Sequence, residues 1–159
     1  MKKTNDKRVS QDYVCGSVRP DVFLQVLRGE KINSNIGSGK TLLSGVNDNV
    51  FVYFTDHGAK GLVAFGENLL KATELNKAIK DMYDGKKYNK MVFYVEACES
   101  GSMFKVLTNL TIYFLTLVLQ GLLPDNLNVY ATTASNDTTS SYACYYDPAR
   151  KTFLGDVYR

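Results

Sequence analysis

The chain has 159 residues, of which 45% are hydrophobic and 22% charged, so it fits one globular domain and is not an intrinsically disordered chain. Its formal net charge of +3 is small. Basic residues cluster only over residues 1–8, which is more typical of a solvated tail than of a nucleic-acid patch, so we expect no nucleic-acid partner.

Two further classes of protein are disfavoured by the sequence. The longest apolar run, residues 106–119, contains polar residues and is shorter than the roughly 20 residues that cross a bilayer, so we expect no membrane partner. From the charged first ten residues we expect no secretory signal peptide in this chain. With three cysteines, one histidine and no Cys-x-x-Cys pair, the chain lacks a structural zinc pattern, and we expect no metal and no cofactor.

The first half of the chain predicts a helix, a loop and a strand. Residues 18–29 have the apolar periodicity of a short helix, with Pro20 near its start and Gly29 at its end. Residues 31–49 are rich in Gly, Ser and Asn and predict a loop. The β-branched and aromatic run 50–54 predicts a buried strand.

The next segments complete a strand, helix, strand pattern. Residues 62–65, held between two glycines, predict a short strand, and residues 73–83 have the periodicity of an amphipathic helix. Residues 91–95 predict a second buried strand and residues 127–133 a third. This spacing predicts a parallel βαβ unit with a right-handed crossover, and therefore the α/β fold class.

Chemically useful side chains follow the first two predicted strands. His57 lies three residues beyond the first strand, and Cys98 lies three beyond the second. If these strands are neighbours, they bring an imidazole and a thiol to one edge of the sheet, where sites form in open α/β folds. A thiolate is a nucleophile, and a nearby imidazole can activate it or protonate a leaving amine.

The glycine after the histidine extends this interpretation. Without a side chain, Gly58 leaves its backbone N–H open to a developing oxyanion, and the Cys98 N–H is a possible second donor. However, a single histidine after a strand is usually structural, and a single cysteine is usually a small buried hydrophobe. The spacing alone leaves the structural and the catalytic interpretation equally open.

Local sequence motifs resemble those of the legumain family, peptidase family C13. VFVYFTDHG resembles the family's histidine segment and MVFYVEACESGSM its cysteine segment; NIGSGK, NVYATTASN, SSYACYYD and FLGDVY match other segments in order. The resemblance covers roughly residues 12–158. It implies a caspase-like three-layer α/β sandwich with a mostly parallel sheet, incomplete in this chain.

The resemblance also implies an activity and its residues. The family comprises cysteine endopeptidases that hydrolyse peptide bonds after asparagine, and less readily after aspartate, in lysosomal or vacuolar proteolysis and protein processing. By matching positions, His57 and Cys98 are the catalytic dyad, and the N–H groups of Gly58 and Cys98 form the oxyanion hole. The residues implied to bind substrate are Glu96, Ser140, Ser141 and Asp156. The expected partners are peptides or proteins with Asn at the cleavage site, and the expected location is lysosomal, vacuolar or secreted.

The chain also departs from the family pattern. Residues 1–159 are interpreted as a partial catalytic domain that lacks the family's N-terminal strand and helix and its C-terminal prodomain. The lost strand would leave residues 50–54 as an exposed edge. Residues 105–120 are an apolar insertion, for which we hypothesise a retained intron; the structural alternative is an added helix at the site rim.

Two alternative functions follow from these departures. The chain could be a truncated, catalytically inactive product that at most binds peptides. A weaker alternative is a protein like the transamidase that attaches lipid (GPI) anchors, whose cysteine motif differs from EACESGSM. Residues 37–41 hint at a phosphate-binding loop but lack its full pattern and a preceding strand, so nucleotide binding is set aside.

Overall fold

The protein is represented by a computed structural model that describes residues 10–105, 127–149 and 151–155. Short 3-10 helices span Cys15–Ser17 and Ser100–Phe104. The helices and strands, in chain order, are α1 Pro20–Arg28, β1 Asn49–Thr55, β2 Gly58–Ala59, β3 Leu62–Phe65, β4 Asn68–Lys71, α2 Ala72–Asp84, β5 Lys90–Glu96, β6 Val129–Thr133, β7 Tyr145–Asp147 and β8 Thr152–Leu154.

A three-stranded parallel sheet organises the chain. Its order is β1-β5-β6, and the register pairs Thr55 with Glu96 and Val95 with Thr133. The predicted neighbouring parallel strands are thereby confirmed, as is the α/β class. The helix α2 lies between β1 and β5 in sequence, as a βαβ unit requires, and the handedness of its crossover stays a prediction.

The ends of both helices have local causes. Pro20 occupies the first turn of α1, where a missing N–H costs nothing, and Gly29 adopts the left-handed conformation that ends it (φ 68°). At the start of α2, the Glu74 carboxylate accepts a hydrogen bond from the Lys71 N–H at 3.0 Å. Both helices lie within one or two residues of their predicted bounds.

The core lies on one face of the sheet. Met91, Phe93 and Val95 of β5 are buried in one cluster with α2, whereas Tyr94, between them, is 39% exposed. On β1 only Val50 is buried, and Phe51 is 62% exposed. The prediction of two buried strands therefore holds for one face of the sheet only, because side chains alternate and the described helices cover one face.

The same arrangement bears on two further expectations, the exposed edge of the sheet and the three-layer sandwich. Within the three described stretches, β1 forms one edge of the parallel sheet, as expected from the sequence. The face that carries Phe51 also carries exposed Tyr53 and Tyr130. Only one helical layer of the expected three-layer sandwich is thus found in the described residues.

A small antiparallel sheet, β2-β3-β4, follows the first strand of the parallel sheet. The strand β3 has the predicted bounds, while β2, β4 and the β7-β8 hairpin were not predicted. The third parallel strand begins at Val129 and not at Leu127. Of the proposed insertion, only Lys105 belongs to the described residues, so the rest lies outside them. Where the chain is described, it has no helix of the length and apolarity that a bilayer crossing demands.

Candidate active site

The histidine and cysteine segments leave the sheet side by side. Because Thr55 pairs with Glu96, His57 and Cys98 each lie two residues beyond a paired position on adjacent parallel strands. The Asp56 N–H donates a hydrogen bond to the Glu96 carbonyl at 3.3 Å, which continues the pairing past the end of β1. The predicted delivery of both side chains to one edge of the sheet is confirmed.

The backbone around His57 is fixed by its neighbour Asp56. One carboxylate oxygen of Asp56 accepts the His57 N–H at 2.7 Å, and the other accepts the Gly66 N–H at 3.2 Å. The His57 carbonyl accepts the Ala64 N–H at 2.8 Å. The imidazole-bearing loop is therefore tied to the β2-β3-β4 sheet, while the His57 side chain itself is exposed.

The thiol of Cys98 is half-buried beside the segment that leads to β7. Its sulfur lies 3.2 Å from the Ser141 carbonyl oxygen and 3.4 Å from the Ser141 nitrogen. The next residue, Glu99, has the left-handed conformation (φ 50°), which is unusual for a residue other than glycine, and its N–H donates to the Thr139 carbonyl. Strained backbone directly after Cys98 turns the chain sharply out of the sheet.

A buried hydroxyl cluster, formed by Ser100, Ser102 and Ser135, supports this turn. The Ser135 hydroxyl donates to the Ala97 carbonyl at 2.9 Å and accepts the Ser100 N–H at 3.1 Å. The Ser102 hydroxyl donates to the Glu99 carbonyl at 2.6 Å and accepts the Gly61 N–H at 2.7 Å. The cluster thus ties the cysteine loop to β6 and to the β2-β3 turn.

The two loops pack without space between them. Gly58, at the start of β2, faces the Cys98 carbonyl and the Ala97 side chain so closely that a Cβ would overlap the carbonyl oxygen. The missing side chain is thus required by close backbone approach. This is a reason for Gly58 that the sequence did not indicate, and it is independent of any oxyanion.

An open pocket of about 240 Å³ lies over this edge. His57 and Cys98 both line it. Its other lining residues are Thr55, Asp56, Glu96, Ala97, Ser141, Ala143, Phe153 and Gly155. Glu96 is only 5% exposed, and among the described residues it is the one buried side chain of an acidic or basic residue. The Tyr53 hydroxyl donates to Glu96 Oε2 at 2.5 Å.

The predicted site residues divide into three groups. His57, Cys98, Glu96 and Ser141 meet at the pocket, and Gly58 adjoins it. Ser140 is exposed and is not among the residues that line the pocket. Asp156 lies outside the described residues. The catalytic, oxyanion-hole and substrate-binding roles of all these residues stay predictions.

Sequence reasoning missed three residues that the structure places in contact with the site: Tyr53, Asp56 and Ser135. Asp56 is visible in the motif TDHG, but nothing in the sequence indicates that its carboxylate bridges two N–H groups. Tyr53 and Ser135 are linked to the site across 43 and 38 residues of sequence, and only the strand register reveals this.

One ion pair follows the cysteine loop, at Lys105. The ammonium group of Lys105 contacts the Asp137 carboxylate, and this hydrogen bond lowers the pKa of Asp137. The ion pair joins the Ser100–Phe104 helix to the loop after β6. In the part of the chain that the structure describes, no group of three or more His, Cys, Asp or Glu side chains could hold a metal ion.

Comparison with known proteins identifies relatives of the whole chain. The sequence profile of the "Peptidase C13 family" matches residues 2–118 and 116–159. The chain is 52% identical over 153 residues to the legumain of Rattus norvegicus (96% of this chain, 32% of the relative). It is 44% identical over 153 residues to the hemoglobinase of Schistosoma japonicum (96% and 32%). It is 42% identical over 161 residues to the vacuolar-processing enzyme delta-isozyme of Arabidopsis thaliana (96% and 31%). The chain thus spans about a third of the length of these relatives.

Proposed function

Because this chain belongs to the peptidase C13 family, we propose that it carries the catalytic dyad of a cysteine endopeptidase that cleaves peptide bonds after asparagine. The observation that supports this most is the shared pocket of His57 and Cys98 at the end of two paired parallel strands. Cleavage after aspartate is slower in this proposal. The proposed setting is lysosomal or vacuolar proteolysis, and one relative is named a vacuolar-processing enzyme.

The proposed reaction proceeds through a thioester. The Cys98 thiolate attacks the backbone carbonyl carbon of the substrate's asparagine residue, and the carbonyl oxygen takes up the negative charge. The N–H groups of Gly58 and Cys98 would stabilise that oxyanion. As the C–N bond breaks, the protonated His57 gives its proton to the leaving amine. Water then attacks the thioester, releases the new carboxyl terminus and restores the thiol.

The pocket walls suit an asparagine side chain. An amide offers two N–H donors and one carbonyl acceptor, so its wall needs acceptors and a donor. Glu96 supplies carboxylate acceptors, and the segment with Ser141 supplies hydroxyl and backbone groups. A site that satisfies both ends of the amide discriminates strongly against side chains that cannot pair with it.

Hydrolysis of a fluorogenic peptide with Asn before the scissile bond tests this proposal. We expect cleavage by the chain, at least tenfold slower cleavage of the matched Asp peptide, and no cleavage by Cys98→Ala. Cys144→Ala is the matched control, because Cys144 is an exposed free cysteine outside the pocket, and it should retain activity. Cleavage by Cys98→Ala at the original rate would refute the assignment.

A second candidate is a non-catalytic product that binds peptides. It is favoured by the open edge of β1 and by the exposed aromatic side chains of Phe51 and Tyr130, which together present a sheet without a complete cover in the described residues. In this case the chain would bind an Asn-containing peptide with no turnover. Calorimetry with such a peptide, run beside the hydrolysis assay, distinguishes the two candidates.

A further inference from the structure

The contact between Tyr53 and Glu96 joins the sheet to the pocket. Tyr53 lies on β1, and Glu96 lies at the end of β5. Tyr53 pairs with Tyr94, two residues before Glu96, so the side chains of Tyr53 and Glu96 lie on the same face of the sheet. The Tyr53 hydroxyl donates to Glu96 Oε2 at 2.5 Å. A phenol bonded to a carboxylate at this distance makes a strong, charge-assisted hydrogen bond.

The two side chains differ in where they lie. Glu96 is 5% exposed and lines the pocket beside Cys98, whereas Tyr53 is 46% exposed and is not among the pocket's lining residues. Tyr53 therefore reaches Glu96 from outside the pocket. Its hydroxyl contacts one of the two carboxylate oxygens, Oε2, and a carboxylate has about four acceptor positions in all.

We propose that Tyr53 is a specificity-determining residue of this site: its hydroxyl group holds the Glu96 carboxylate in the orientation that accepts a hydrogen bond from a substrate's asparagine amide. The inference rests on the proposed function. A carboxylate held in this way accepts from the –NH₂ of asparagine and repels the carboxylate of aspartate. Tyr53 acts through Glu96 and is therefore a positioning residue, since it does not touch the reacting atoms.

Removal of one hydroxyl group tests the inference. For Tyr53→Phe we expect the ratio of kcat/KM for Asn and Asp peptides to fall about tenfold, the scale set by one hydrogen bond to a charged group. Most of the change should appear in KM for the Asn peptide, because binding and not chemistry is altered. Tyr130→Phe is the matched control, since Tyr130 lies on the same sheet face, is 64% exposed and does not line the pocket.

A binding measurement separates this inference from the proposed function. Cys98→Ser protein should bind an Asn-terminated peptide more tightly than the Asp analogue by calorimetry, and Tyr53→Phe should reduce that preference. If the chain hydrolyses no peptide but shows this pattern, the protease proposal fails and the inference stands. If the wild-type chain cleaves after Asn and Tyr53→Phe keeps the same Asn preference in both assays, the inference alone is refuted.

A second variant keeps the inference testable if Tyr53→Phe does not fold. If Tyr53→Phe is unfolded at the assay temperature, Glu96→Gln keeps the tyrosine and the size of the side chain but removes the charge. We expect it to lose the Asn preference in binding to the same extent. An unchanged preference in Glu96→Gln would overturn the role of Glu96, and that of Tyr53 with it.

Discussion

A Cβ atom on Gly58 would lie 2.3 Å from the carbonyl oxygen of Cys98 and 3.0 Å from the Ala97 side chain. Real Cβ atoms do not approach a backbone oxygen this closely, so no side chain fits between the histidine and cysteine loops without displacing one of them. The spacing of the two loops is therefore set by a glycine on one side and by backbone on the other. The relative positions of His57 and Cys98 depend on this spacing between the loops.

Gly58→Ala should separate the two loops. We expect activity against an Asn peptide to fall at least 100-fold, because misplacing reacting groups by about 1 Å costs on that order. The assay is steady-state hydrolysis, with folding checked by circular dichroism. Gly16→Ala is the control, since a Cβ there meets nothing within 4 Å and the backbone is not in the left-handed region. Full activity in Gly58→Ala would contradict the close packing.

Ser135→Ala should destabilise the cysteine loop. The substitution leaves the buried Ala97 carbonyl and the Ser100 N–H without their partner, and an unpaired buried polar group costs about 1–3 kcal/mol. Urea unfolding measures the loss. Ser34→Ala, at an exposed serine of the loop before β1, should change the free energy of unfolding little. Equal stability of both variants would show that the hydroxyl cluster does not support the fold.

Asp56 should position His57 in a graded way. Asp56→Asn keeps one acceptor oxygen for either the His57 or the Gly66 N–H, whereas Asp56→Ala keeps none. We expect kcat/KM to fall about threefold for the first and about 30-fold for the second, in line with one and two net hydrogen bonds. Steady-state hydrolysis ranks kcat/KM for the wild type and the two variants. An alanine variant as active as wild type would exclude a positioning role.

Alkaline pH should weaken the fold through Tyr88. Burial raises the pKa of Tyr88 from 10.0 to about 12, and its hydroxyl donates to the Leu127 carbonyl at 2.7 Å. Because the folded pKa exceeds the unfolded one, this contribution is complete below pH 10 and is lost as pH rises toward 12.

Thermal melts between pH 8 and 12 test this linkage. Tyr88→Phe should be less stable than wild type at pH 8, because the Leu127 carbonyl loses its donor, and the difference should shrink as pH rises above 10. Tyr142→Phe, at a tyrosine that is 76% exposed, is the control. A stability difference that is the same at pH 8 and pH 12 would contradict the raised pKa.

Sequence patterns predicted the parallel strands because their β-branched and aromatic runs are long. They could not predict β2, β4 or the β7-β8 hairpin, since strands of two to four residues carry too little periodicity and depend on pairing. The continuously apolar run 50–54 predicts a buried strand. Phe51 is nevertheless exposed, since covering a sheet face depends on other elements.

The site was predictable in part. Equal offsets after two strands place His57 and Cys98 at one edge of the sheet if these strands are neighbours, as they are. The dyad itself is implied by the resemblance of the flanking motifs to the family. The hydrogen bonds from Tyr53 to Glu96 and from Ser135 to Ala97 join distant segments, so they depend on register and rotamer. Such contacts become visible only when the strands are placed side by side.

The identity of the nucleophile is tested most directly by labelling. All three cysteines are free thiols; Cys15 and Cys144 are exposed, and Cys98 is half-buried. A peptidyl acyloxymethyl ketone ending in Asn loses its carboxylate leaving group when a thiolate attacks, so mass spectrometry of the digest shows which sulfur reacted. The account predicts a stoichiometric adduct on Cys98, little adduct on Cys15 or Cys144, and loss of labelling in His57→Ala. Labelling that follows exposure, with Cys15 and Cys144 modified ahead of Cys98, would contradict it.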